Sequence, residues 1–206
     1  MYLKLTLAMG LLGGILMFCG DMLLFFTTED LDFNDHKKAI AIIKKIPQWR
    51  FRLGGLLGPV SAFFICIGFF NNWFGAIDGY KTFGFAISLI SCLATILGGA
   101  WHSHSTYLGL VGKIENEEAI DQLIKEIKFW SKISVSVMIV SVLSIAAMIV
   151  LGKTVYPRWF ILFTPLVTQL SYFLFNKLPK PFKVIFTVGL GNLMLIVYFG
   201  VALLIV

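Results

Sequence analysis

His102 and His104, two residues apart in GGAWHSHST (residues 98–106), are the side chains of this sequence best suited to carry a proton or bind a metal. They close a long apolar run that opens near Phe83, where an ionisable group is costly and marks a functional site by default. Residues two apart on an α-helix differ by about 200°, so the two rings point to nearly opposite faces. They cannot grip one metal as an i, i+4 pair can, and at most one can share a pocket with another element. His102 is the expected one. Ser105 and Thr106 follow it at three and four residues, and Gly98 and Gly99 precede it at similar spacing, giving its face hydroxyls and room for a close neighbour. His104 shares its side with Ala100, Trp101, Tyr107 and Leu108, a more packed or interfacial setting.

Asp21 lies near the end of the first apolar run, and Arg50 and Arg52 open the second. Two readings of Asp21 stay open. It orients the imidazole or shares its ligand, or it forms a clasp with Arg50 or Arg52, because arginine offers a carboxylate a bidentate match. The candidate catalytic residues are therefore His102 and Asp21. The candidate ligand-binding groups are Arg50, Arg52, His104, Ser105, Gln169 and Asn192. No metal or cofactor is assigned. There is no G-x-S-x-G elbow and no H-E-x-x-H signature. The glycine pairs at 13–14, 54–55 and 98–99 lie in no strand-to-helix turn and read as packing notches rather than phosphate loops.

The elements that must position these groups are membrane helices. The 206 residues are 58% hydrophobic and 14% charged, too little polar surface for a soluble domain of this size. The expected fold is a single all-α membrane domain, a polytopic bundle with six spans at about 5–26, 51–70, 83–107, 133–151, 159–175 and 184–204. Two amphipathic helices are expected at the interface, at about 35–46 and 116–131. Asn34 or Asp35 can cap the first of these, and Lys37, Lys38, Lys44 and Lys45 share one face opposite its alanine and isoleucines. Residues 1–26 resemble a signal peptide but carry Asp21 and no convincing cleavage site, so they are read as a retained first span. Pro59 inside the second span needs a neighbour to satisfy the carbonyl it frees. Cys19, Cys66 and Cys92 fall in apolar runs without metal-ligand spacing and read as packing residues. Arg52 and Pro59 are spaced as Arg158 and Pro165 are, a faint sign of an inverted repeat.

Charge then sets orientation. The net charge of +6 says little about nucleic acid, because its placement matters more than its sum. Thirteen of the seventeen Lys and Arg residues fall on the side of the first, third and fifth connections. Under the positive-inside rule both termini face out, the basic loops face the cytosol and the chain sits in the cell membrane. Asp21, Arg50, Arg52, His102 and His104 then share a layer near the cytosolic face. Three functions compete: binding or processing of an amphipathic, lipid-like small molecule there; a small transporter or channel; and a non-catalytic membrane assembly partner. The partners expected are the bilayer and such a molecule, not nucleic acid.

Together, the Gly20-Asp21 pair, WRFRLGGLLGP opening the second span and GGAWHSHS closing the third resemble a family of small multispanning membrane proteins with no assigned function. The resemblance covers nearly the whole chain and implies fold and membrane location, with no activity. The ceramidase-like membrane hydrolases also use Asp, Ser and His at a membrane face to hold zinc. This chain has one span fewer and no i, i+4 histidine pair, so no ligands are carried over.

Overall fold

A computed structural model of the chain describes residues 1–29, 31 and 36–206, and the side chains of all of these but 36 and 37. The cap expected at Asn34 or Asp35 lies outside the described residues, as does the Lys37 side chain. The described residues form an all-α bundle with one isolated bridge, Ala76 to Thr154, and no strand. The helices are α1 (Tyr2–Phe25), α2 (His36–Ile43), α3 (Gln48–Phe69), α4 (Asn71–Phe74), α5 (Lys81–Ile114), α6 (Glu117–Val150), α7 (Pro165–Thr168), α8 (Tyr172–Phe175), α9 (Phe182–Val188) and α10 (Leu190–Ile205).

Four helices, α1, α3 continuing into α4, α5 and α6, are long and apolar enough to cross a membrane. A fifth is reached if α9 and α10, bent by 70° at Gly189, count as one span. Phe18 of α1 lies where a Cβ on Gly189 would sit, so a glycine is needed for α1 to approach at the bend. Six continuous spans are not present among the described residues. The expected fifth, 159–175, breaks into a 3₁₀ segment (Arg158–Phe163), α7, a second 3₁₀ turn (Gln169–Ser171) and α8. The cause is Pro165, which forces Thr164 into an extended conformation with ψ of 154°. Thr164, Thr168 and Ser171 add side-chain bonds to the carbonyls of Ile161, Thr164 and Thr168, the first two of which also accept backbone N–H groups.

The core is built on close antiparallel crossings. Gly10 of α1 meets Gly68 of α3 backbone to backbone, and Phe199 of α10 fills the adjoining space. Small residues of this kind let van der Waals packing drive association where lipid removes the hydrophobic drive. Pro59 frees the carbonyl of Gly55 four residues before it, and Ser103 Oγ of α5 donates to that carbonyl at 3.1 Å. Among the serines of α6, Ser141 links to Ser91 of α5 at 2.6 Å, while Ser136 and Ser144 bond their own i−4 carbonyls.

α5 and α6 each have 34 residues, about 51 Å of helix against a hydrocarbon core of about 30 Å. Both helices are therefore longer than a span requires. Glu115 adopts φ of 58° at the turn between them, and Asn116 caps α6 by accepting from the Ala119 N–H. The amphipathic segment expected at 116–131 is the first part of α6, continuous with the span. The other, α2, has its apolar face turned onto protein. Ala39, Ile42, Ile43 and Ile46 are buried against Leu24, Phe51 and Leu108, with Leu123, Ile124 and Ile127 of α6 alongside. Ion pairs Lys44–Glu115 at 2.8 Å and Lys45–Glu29 at 2.9 Å fasten its polar side. The expectation of a helix floating on lipid gives way to one that plugs the bundle, because three helix ends offer it more apolar surface.

Candidate functional site

One end of the bundle gathers Asp21 of α1, His102 of α5 and Asn192 of α10. His102 Nε2 lies 3.1 Å from Asp21 Oδ1, and Asn192 Nδ2 donates to Asp21 Oδ2. A carboxylate accepts only, so His102 donates through Nε2–H, and its Nδ1 has no hydrogen-bond partner among the described residues. Asp21 and His102 are both more than nine-tenths buried, while Asn192 is half-buried. One carboxylate thus ties three helices together.

Glycines make room for the ring. A Cβ on Gly20 would come within 2.9 Å of His102 Cε1, and one on Gly58 within 3.1 Å of Nδ1. The imidazole therefore occupies notches in α1 and α3, which explains why Gly20 precedes Asp21 and Gly58 precedes Pro59. Among the described residues, three buried polar side-chain atoms have no hydrogen-bond partner: Ser61 Oγ, Trp101 Nε1 and His102 Nδ1. The indole N–H only donates, and a serine hydroxyl does not change charge in this range. The imidazole nitrogen alone can take up a proton.

The other candidates distribute differently. Arg50 does not clasp Asp21. Its guanidinium donates to the carbonyls of Leu23, Met22 and Phe26 at 2.9, 2.7 and 2.9 Å, capping the C-terminus of α1. The Met22 carbonyl also accepts from the Phe26 N–H at 3.1 Å, and all three carry the negative end of the helix dipole, so a cation serves them as well as it would serve a carboxylate. Arg52 is exposed on the outer face of α3, away from Asp21. His104 Nδ1–H donates to its own Ala100 carbonyl at 2.7 Å, and its ring stacks on Trp130 of α6 with centroids 5.6 Å apart. It anchors the α5–α6 hairpin on the side of α5 away from His102. Ser105 is buried, whereas Gln169 is exposed on the broken 158–175 segment with no described hydrogen bond to the Asp21 group. Among the described residues no three His, Cys, Asp or Glu side chains are grouped to hold a metal.

A second buried polar group, at the opposite end, was not anticipated. Asn71 Oδ1 accepts from the hydroxyls of Tyr156 and Tyr198 at 3.0 and 3.1 Å, and Tyr198 also donates to Asn72 Oδ1 at 3.3 Å. The two asparagine amides donate to the Gly68 and Phe69 carbonyls at 2.8 and 2.9 Å, and Ser88 adds a bond to Phe69 at 3.0 Å. Tyr156 lies outside the span-length helices, and burial pushes its hydroxyl well above the usual tyrosine range, which keeps it a donor. The Asn71–Asn72 pair closing an apolar span was the signal available for this group.

No curated protein and no solved structure matches the chain. A family model does match, over residues 2–206. The chain belongs to the family of unknown function DUF6796, and its apolar helices make it a multi-pass membrane protein of that family.

Proposed function

We propose that this protein is a proton-coupled membrane carrier of a small amphipathic molecule, with Asp21, His102 and Asn192 as its proton-binding centre. The observation behind this reading is His102 Nδ1, buried without a described partner while Asp21 holds Nε2. A proton arriving at Nδ1 makes the ring cationic beside the carboxylate that already orients it, so the charge is compensated where it forms. Around the ring, α1 offers Asp21, α10 offers the neutral Asn192, and α3 offers Gly58.

The bent pair α9–α10 supplies the mechanical half. Asn192 lies three residues after Gly189, in the first turn of α10. Broken helices whose half-ends meet polar groups are a recurrent way to couple an ion to movement. Protonation changes the hydrogen bonding of Asp21 and so the hold on α10 through Asn192. Under the positive-inside rule the charge bias of the connections favours this end at the cytosolic face of the cell membrane, with both termini outside.

Processing of an amphipathic molecule with His102 as general base is the second reading, and the Asp21–His102 pairing favours it. Against it, His102 is more than nine-tenths buried and Gly58 of α3 packs close beside its ring. The test is a pH jump on protein adsorbed to a solid-supported membrane. Wild type should give a transient charge displacement that His102→Gln and Asp21→Asn lack. An undiminished signal in His102→Gln overturns the proposal.

A further inference from the structure

A groove of about 360 Å³ opens on the outer side of the α3–α5 seam, lined by Arg52, Gly55, Leu56, Pro59, Ser103 and Thr106, with Tyr107 at its rim. We infer that this groove seats one anionic phospholipid, its phosphate on Arg52 and an acyl chain along Leu56 and Pro59. This inference is independent of the proton-binding centre, which faces α1 across the glycine column of α3.

The polar atoms of the groove sort themselves. Ser103 Oγ is taken by the carbonyls of Gly55 and Gly99 at 3.1 and 3.2 Å, and Thr106 Oγ1 donates to the Phe51 carbonyl at 3.0 Å. Those hydroxyls are spent on the floor. Arg52 is exposed and Tyr107 is 55% exposed, so the groups able to meet a ligand lie together at one end. Beyond them the wall is apolar and continues along α3 through the exposed Leu56, Val60 and Phe63. A cationic head followed by an apolar track matches an anionic amphiphile lying along the helix, and the guanidinium fork matches phosphate. Arg52 lies in the same first turns of α3 as Arg50, which is committed to the end of α1. The groove floor is narrow because Gly55 lets Thr106 approach α3 closely. A lipid is favoured over a free anion because only a lipid would use the apolar part of the site.

The experiment is native mass spectrometry of purified protein titrated with phosphatidylglycerol, phosphatidylcholine or inorganic phosphate. Wild type should retain one phosphatidylglycerol in preference to phosphatidylcholine. Arg52→Gln should weaken that retention about fivefold, the effect of one basic residue at an anionic membrane surface. Leu56→Trp, which keeps the charge and fills the groove, should weaken it as well, while Lys125→Gln on the exposed face of α6 should not. Equal retention by wild type and Arg52→Gln overturns the proposal. So does retention unaffected by Leu56→Trp, which reduces Arg52 to a general surface charge, or binding of inorganic phosphate as tight as that of the lipid.

Discussion

The two ends of the bundle each bury a polar group that involves α5 and α10, and they are finished differently. At the Asn71 end two tyrosine hydroxyls converge on one amide oxygen and both asparagine amides find carbonyls. At the Asp21 end the carboxylate is matched on both oxygens, yet the ring it holds keeps one nitrogen without a described partner. A closed network specifies packing. An open one, at a group that can change charge, leaves something for the protein to do. The contrast predicts that damage at the first end shows up as lost stability and damage at the second as lost response to protons.

The largest stability effect is expected for Asn71→Leu, which strands the Tyr156 hydroxyl in the core and leaves Tyr198 only its longer bond to Asn72. It should cost about 2–4 kcal/mol, read from thermal unfolding in detergent, with the pH-jump signal retained in whatever remains folded. Gly58→Ala comes next. Its methyl would meet the Gly99 carbonyl oxygen at 2.9 Å and His102 Cβ at 3.0 Å. Backbone on one side prevents easy relief, so about 1–3 kcal/mol should be lost together with the proton signal. Gly191→Ala is its control: a Cβ there meets nothing within 4 Å, and helix propensity should stabilise the variant by up to about 1 kcal/mol.

His102→Gln inverts the balance. Interhelical hydrogen bonds in membranes average about 0.6 kcal/mol, so melting should change little while the charge displacement disappears. The smallest effect concerns the strap over the α5–α6 turn. Lys44 beside Glu115 holds that carboxyl below its usual value of 4.5. The contribution is present above about pH 4.5 and lost as pH falls through the lower folded value. Acidification to pH 5 should therefore leave α2 protected in hydrogen exchange, and further acidification should lower that protection slightly. Glu115→Gln should reduce that pH dependence, with the Lys45–Glu29 pair keeping its share.

Much of the Asp21 end was legible in the sequence because helical angle is arithmetic: two histidines two apart must diverge, and the glycine- and hydroxyl-bearing face belonged to His102. The partner of Asp21 was not legible. An arginine meets a carboxylate or a helix C-terminus equally well, and only the rotation of α3 decides that Arg50 takes the carbonyls of α1. Hydropathy counted 159–175 as a span because composition ignores what Pro165 does to the residue before it. The apolar face of α2 was read correctly, but sequence does not say whether lipid or protein covers such a face. The Asn71 network escaped because its members are scattered over three segments of chain and only the asparagine pair is local.

The central claim is the bare nitrogen of His102. It is tested most directly by ¹⁵N-histidine solid-state NMR of the protein in bilayers, with the resonance assigned by its loss in His102→Gln. At high pH the ring should carry its proton on Nε2 and show an unprotonated Nδ1, and lowering the pH should add a proton at Nδ1. A ring with its proton on Nδ1 and a bare Nε2 facing Asp21, or one that never gains a second proton while the protein stays folded, would contradict the account.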